Sequence, residues 1–185
     1  MTWEELESKE RICTKCDLCQ TRRQVLLGKG NKEAALMIVA EAPGEQEDIQ
    51  GVPFVGRSGT VLDAVFEKVG MTREEIYITN IVKCHPPKNR NPKEEERELC
   101  LEWLRQELML IQPKMICCLG KVAAERLIHP DFKITKEHGT FFLKNHYLFM
   151  ATFHPSAILR DPSKKEAIEQ DFTRIQKQLE KMNKM

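Results

Sequence analysis

No run of apolar residues in this chain approaches the roughly twenty that a membrane-spanning helix needs. The first residues, Met1-Thr-Trp-Glu-Glu-Leu-Glu7, are acidic and lack the apolar stretch of a secretory leader, so a cytoplasmic location is expected. A dominant charge is missing as well: 29 Lys and Arg against 28 Asp and Glu give a formal net charge of +1. Composition therefore does not announce a polyanionic partner, although local clustering decides that question rather than the sum. Basic residues do gather, at Lys83, Lys88, Arg90 and Lys93 and again at Arg160, Lys164 and Lys165. Neither G-x-G-x-x-G nor G-x-x-x-x-G-K-S/T occurs, which removes two common nucleotide-phosphate loops. Gly28-Lys-Gly30 is too short for either and reads as a turn. With no repeats or low-complexity tracts, residues 1–185 are expected to form one domain.

Cysteine is present in quantity. Seven cysteines in a cytosolic chain need a reason other than structural disulfides. Cys117 and Cys118 lie within the apolar run Met115-Ile-Cys-Cys-Leu119 and read as small core residues. Cys13-Thr-Lys-Cys16 is a metal-type pair that Cys19 extends by a second two-residue spacing; Cys84 and Cys100 lie further along. Such a thiolate set suits an iron–sulfur cluster or a structural zinc, with a redox dithiol as the third reading. Spacing alone does not choose among them, nor say which of the five is spare. A bound group would tie the N-terminal segment, about residues 1–30, to the rest of the chain.

Four short apolar runs read as strands: 35–41, 76–80, 114–119 and 147–153. Helical periodicity separates them. Leu62, Val65, Phe66 and Val69 share a face of one helix, with Ser58 as a cap and Gly70 as the stop. A longer helix is expected from Asn91-Pro92, with Cys100, Leu104, Leu108 and Ile111 inward; Ile168, Phe172, Ile175, Leu179 and Met182 mark a last one. Near-continuous apolar strands alternating with helices imply a parallel sheet covered on both faces. Ligands of such folds sit beyond the carboxyl ends of the strands. The chemically distinctive residues lie there: Glu41-Ala-Pro-Gly44, Asn80, Gly120 and His154-Pro155.

The stretch from Ala40 through Asp48, continuing as Gly51-Val-Pro-Phe-Val-Gly-Arg-Ser-Gly59, is too elaborate for a plain strand-to-helix connection. Its glycines and helix start, with Arg57 and Ser58, can present N–H groups and charge to an anion. Together with Tyr77-Ile-Thr-Asn80, Val82-Lys-Cys84 and Phe153-His-Pro-Ser156 through Leu159-Arg160, these motifs resemble the family 4 uracil-DNA glycosylases in order and spacing. The resemblance covers nearly the whole chain. It implies a three-layer α/β/α sandwich on a central four-stranded parallel sheet, and an enzyme that hydrolyses the N-glycosidic bond of uracil in DNA. It also implies a [4Fe–4S] cluster on Cys13, Cys16, Cys84 and Cys100, which leaves Cys19 spare.

Site roles follow from the same resemblance. A base must leave the duplex to be cut, so a pocket with an aromatic platform is needed. Phe54 is expected to stack on uracil, Asn80 to pair with its O4 and N3–H edge, and His154 to donate to O2 as charge develops. Ser156, Leu159 and Arg160 are expected in a loop that enters the groove, with Leu159 a wedge and Arg160 on phosphate. Lys88 and Arg90 are further DNA candidates, and His85 could touch DNA.

Activation of water has no obvious agent. Ala42 lines the uracil site where better-known branches of the superfamily carry an aspartate. Glu41 is the nearest carboxylate and Glu47 the next, unless Glu47 crowds the uracil 5-position and excludes thymine; Glu45, Glu47 and Asp48 otherwise read as a solvated face. Two departures from the family pattern stand out. Ala40 replaces a glycine, so its methyl could narrow the pocket wall, and His138-Gly139 replaces an arginine-glycine pair, at the cost of a phosphate contact. The rival readings are a non-catalytic iron–sulfur protein that binds uracil-DNA and a zinc-stabilised module. A branch that links covalently to DNA through a loop histidine is disfavoured, because Asp161-Pro-Ser-Lys-Lys165 has none. A nucleoid-associated monomer is expected.

Overall fold

The structure, a computed structural model, describes residues 1–184. Six strands form one sheet: β1 (Lys29–Gly30), β2 (Leu36–Ala40), β3 (Tyr77–Asn80), β4 (Met115–Leu119), β5 (Phe141–Lys144) and β6 (Tyr147–Thr152), in the order β1-β3-β2-β4-β6-β5. The middle four are mutually parallel and correspond to the four expected runs. The two edges, β1 and β5, pair antiparallel and were not expected; Gly28-Lys-Gly30 is therefore an edge strand rather than a turn. Helices α1 (Trp3–Arg11), α2 (Glu45–Gln50), α3 (Arg57–Val69), α4 (Glu94–Ile111), α5 (Lys121–Leu127), α6 (Ile134–Glu137), α7 (Ser156–Arg160) and α8 (Lys164–Asn183) complete the chain.

Alternation along β2 sorts the core into two halves. Met37 and Val39 pack with Leu6 of α1, Leu101, Trp103 and Leu104 of α4, and Ala123 of α5. Leu36, Ile38 and Ala40 pack with Leu62 and Phe66 of α3 and with Ile168 and Phe172 of α8. Both faces are thus covered, which gives the α/β/α layering, and each large apolar side chain buried adds about 1.5–3 kcal/mol. Cys117 and Cys118 fall on opposite faces, both buried. Among the described residues no helix is long and apolar enough to cross a membrane.

Two helix starts differ from expectation. Gly56 caps α3, so Ser58 sits inside its first turn. Lys93, not Asn91, caps α4: the Glu96 carboxylate accepts the Lys93 N–H at 2.7 Å and both Arg90 Nη atoms at 2.8 and 2.7 Å. Residues 91 and 92 lie outside the helix, as expected where a proline disfavours helical backbone at the residue before it.

Lys83 belongs to the interior. It is 1% exposed and pairs with the equally buried Glu107 at 2.5 Å, while Tyr77 and Thr79 hydroxyls donate to the same carboxylate at 3.2 and 2.9 Å. Burial opposes the Lys83 charge, but Glu107 and Glu10 more than restore it. Removing one member of such a pair typically costs about 3–5 kcal/mol, because the other charge is left dry and alone. Lys83 therefore drops out of the basic stretch as a nucleic-acid contact.

Candidate active site and cysteine centre

A cleft of about 600 Å³ opens over the strand ends. Ten of the expected residues line it: Glu41, Ala42, Glu47, Phe54, Ser58, Asn80, Arg90, His154, Ser156 and Arg160. Glu41 and Ala42 follow β2, Asn80 ends β3, and His154 follows β6 by two residues. The parallel register sets Ala40 beside Asn80 and Leu119 beside Thr152, so these ends lie side by side. Arg57 and Lys88 are exposed and Leu159 is 43% exposed, and none of the three is part of the lining. The sequence reading missed Asn89 and Asn91 in the β3–α4 connection and Lys121 and Val122 at the start of α5. Lys121 was findable, because it follows Gly120 at the end of β4.

Phe54 is presented by a held turn. Its φ is +54°, a left-handed conformation that costs an ordinary residue roughly 1–2 kcal/mol. Arg73 meets that cost, donating to the Pro53 and Phe54 carbonyls at 2.9 and 2.7 Å while its Nε sits on Asp63 at 2.6 Å. Glu47 Oε1 accepts the next two N–H groups, of Val55 and Gly56, each at 3.0 Å. A Cβ at Gly59 would lie 1.8 Å from the Phe54 carbonyl oxygen, so only glycine lets α3 start this close. The Phe54 ring is 7% exposed and stands 5.7 Å from the His154 ring at 30°.

His154 is held in one protonation and tautomeric state. Burial, and then the charge of Arg160, hold its pKa down at about 4, so the ring is neutral at physiological pH. The Ser156 N–H donates to Nδ1 at 3.1 Å, and the Ser156 hydroxyl lies 2.8 Å from the same atom. Nδ1 is therefore the acceptor, and Nε2 carries the proton. Ser156–Arg160 is the short helix α7 rather than a loop, which is how the Ser156 N–H comes to point back at the ring.

The carboxylates divide. Glu41 is half-buried, its Oε1 has no hydrogen-bond partner, and burial raises its pKa against an opposing pull from Arg97. Asp48 is no solvated residue: it is 3% exposed and accepts the Arg23 N–H at 3.0 and 3.2 Å. Ala40, 1% exposed, packs into the α3/α8 side of the core and does not narrow the cleft. His138, just after α6, sits on buried Asp171 at 2.7 Å, which also accepts the Thr152 hydroxyl at 2.6 Å, so Asp171 ties α8 to both β6 and the end of α6. His85 is occupied by Asn89 Oδ1 at 2.7 Å.

The cysteines form a second centre. Cys13, Cys16, Cys84 and Cys100 line one small enclosed cavity with Trp103 and Arg22; Cys19 is not part of its wall. Three N–H groups already point at the sulfurs: Trp103 Nε1 at Cys13, Arg22 Nη1 at Cys84 and the Lys83 backbone at Cys100, each at 3.3 Å. Donors of this kind stabilise thiolate ligands of a metal group. Burial raises the Cys16 thiol of the Cys-x-x-Cys pair, the opposite of the lowered pKa a reactive dithiol needs, and raises Cys84 to about 11 and Cys100 to about 12. Among the described residues no three His, Cys, Asp or Glu side chains are grouped to hold a single metal ion.

Comparison with known proteins identifies the family. The family model described as the uracil DNA glycosylase superfamily matches residues 27–180. A type-4 uracil-DNA glycosylase of Archaeoglobus fulgidus is 39% identical over 88% of this chain and 86% of its own length. Those of Saccharolobus solfataricus and Thermotoga maritima are 38% and 39% identical over 91% and 83% of this chain and 82% of their own lengths in each case. Strand-end geometry, the four-cysteine cavity and these relatives converge: the chain belongs to the uracil DNA glycosylase superfamily and, within it, to the type-4 uracil-DNA glycosylases.

Proposed function

We propose that the protein hydrolyses the N-glycosidic bond of uracil flipped out of DNA, the opening step of base-excision repair. The observation that carries this reading is the meeting of Phe54, Asn80 and a neutral His154 in one cleft at the strand ends. Phe54 stacks on the extruded base, an interaction worth about 1–3 kcal/mol. Asn80 pairs with uracil O4 and N3–H, a pattern that cytosine presents in reverse. A mismatched base would leave buried polar groups unpaired, so discrimination is steep.

As the glycosidic bond breaks, negative charge moves onto uracil O2, and His154 Nε2–H donates to it. A neutral donor does this without leaving a buried cation behind, and such a contact typically contributes about 3–4 kcal/mol. Glu41 orients and deprotonates the attacking water: this carboxylate residue lines the cleft, and Ala42 beside it has nothing to titrate. Glu47 holds the Phe54 turn and borders the pocket where a 5-methyl group would sit. Arg160, Ser156, Ser58 and Arg57 contact phosphates, Leu159 wedges into the groove, and Lys88 adds a further contact to DNA. Arg90 shares its charge with Glu96 and contributes less.

Cys13, Cys16, Cys84 and Cys100 would hold a [4Fe–4S] cluster, whose chemistry here is structural: it ties the N-terminal segment to α4. The four thiols share one cavity with three N–H donors aimed at their sulfurs, which supports a thiolate-held metal group there. The working setting is a monomer on uracil-containing DNA in the cytoplasm, at the nucleoid. Incubation with single- and double-stranded DNA carrying one uracil, followed by alkali, tests the activity. Breakage at the uracil position supports it. Retained binding without breakage would favour a non-catalytic uracil-DNA-binding protein.

A further inference from the structure

We infer that Arg97 is a positioning residue for Glu41, holding its carboxylate charged and oriented from the layer beneath the cleft. This rests on the reading of Glu41 as the group that activates water.

Topology places the two together. The β3–α4–β4 crossover brings α4 down from the carboxyl ends of the strands, so its first turn, Glu94 to Arg97, lies beside the strand ends from which Glu41 emerges. A clamp fixes the Arg97 head. Its Nη2 sits 2.9 Å from Glu94, Glu94 also takes Arg126 Nη1 at 2.9 Å, and Glu98 takes the other Arg126 nitrogen. The outward edge of the guanidinium is thereby engaged, while Nε is buried and has no partner. Glu41 Oε1 is also buried and without a partner. An unpaired donor on a cation and an unpaired acceptor on an anion, both out of water, are each costly alone and suited to one another or to a shared water.

The charges around Glu41 support the pairing. Glu47 of α2, Arg90 of the β3–α4 connection, Lys121 of α5, and His154 and Arg160 at α7 all border the same cleft. Burial leaves the Glu41 carboxyl above its usual range, and the Arg97 charge limits that rise. Without it the carboxyl would take a proton at higher pH and lose its capacity as a base.

The rate of uracil release in single-turnover conditions, measured across pH, tests this in Arg97→Gln, Arg97→Lys and Glu41→Gln, with iron–sulfur absorbance as the check on folding. Arg97→Gln is expected to move the acid limb upward by about one pH unit, a tenfold loss on that limb. The high-pH plateau should stay within a few-fold of the parent, and Arg97→Lys should restore most of the shift. If Arg97→Gln does not fold, Glu94→Gln loosens the same clamp and should move the limb in the same direction by less. An unmoved acid limb, or a fall of equal size at every pH, would assign Arg97 a purely structural role and overturn the inference. If Glu41→Gln keeps the parent rate, the reading of Glu41 fails instead, and the two failures are separately visible.

Discussion

His154 shows at the scale of one residue how a fold sets a chemical state. Its position after β6 buries it beside Arg160, and the turn into α7 gives Nδ1 a backbone donor. His154→Ala should lower the rate of uracil release about 10²–10³-fold, with uracil-DNA binding much less affected. Asn80→Ala should do the same and also narrow the difference in rate between uracil and cytosine. The depressed pKa carries a stability consequence too. The unfolded ring takes a proton near 6.5 and the native ring only near 4, so acidification through that window favours the unfolded chain. From pH 7 to pH 4 the melting temperature of the parent should fall relative to that of His154→Gln; parallel curves would contradict the burial assigned to this ring.

What sequence reveals about single residues follows one physical line. Position alone put Asn80 and His154 at strand ends and Phe54 at a glycine turn; their site roles came only with the family resemblance, and the cleft brings the three together. Lys83, Glu107, Asp48 and Asp171 were not readable, because a charged side chain reads as solvated unless its partner is known. The partner of Lys83 is 24 residues away, and the Arg23 and Gln24 amides that hold Asp48 lie 25 and 24 residues from it. Glu47 was read as a second candidate base, a block to thymine or part of a solvated face; its bonds to Val55 and Gly56 were not foreseen, because they depend on how α2 and the Phe54 turn meet.

At the scale of elements, the Phe54 turn is the feature most exposed to damage from outside the cleft. Gly59→Ala should force the Phe54 carbonyl and the start of α3 apart, costing about 1–3 kcal/mol of stability by overpacking. Uracil release should fall at least tenfold as the platform moves, and an unchanged rate with unchanged thermal stability would remove the turn from the account. Helices α3, α4 and α8 were legible from period alone. Their starts were not, because Gly56 and Lys93 displaced better capping residues once Glu47 and Glu96 had engaged the neighbouring amides. The β5–β6 hairpin escaped notice for a similar reason: Asn145 and His146 take positive φ without the glycine that usually marks such a turn.

For the whole molecule, two centres sit on one sheet. The cleft lies at the strand ends, and the cysteine cavity joins the N-terminal segment to α4 and to the segment after β3. Cys19→Ser should leave iron–sulfur absorbance and activity near parental values, whereas Cys100→Ser should lose the absorbance and lower the melting temperature. Loss of the absorbance in Cys19→Ser would show that the ligand set is misassigned. The four parallel strands and the both-faces-covered architecture were evident from apolar runs alone. The two edge strands were not, since β1 is two residues long and β5 is partly exposed.

The most direct test of the account is the amount of free uracil released from an oligonucleotide carrying one labelled uracil, followed to completion with substrate in excess over protein. The account predicts that free base accumulates in step with alkali-labile sites and beyond one equivalent of protein, with none from the cytosine-containing control. Tight retention of the uracil oligonucleotide with no free base released would contradict it.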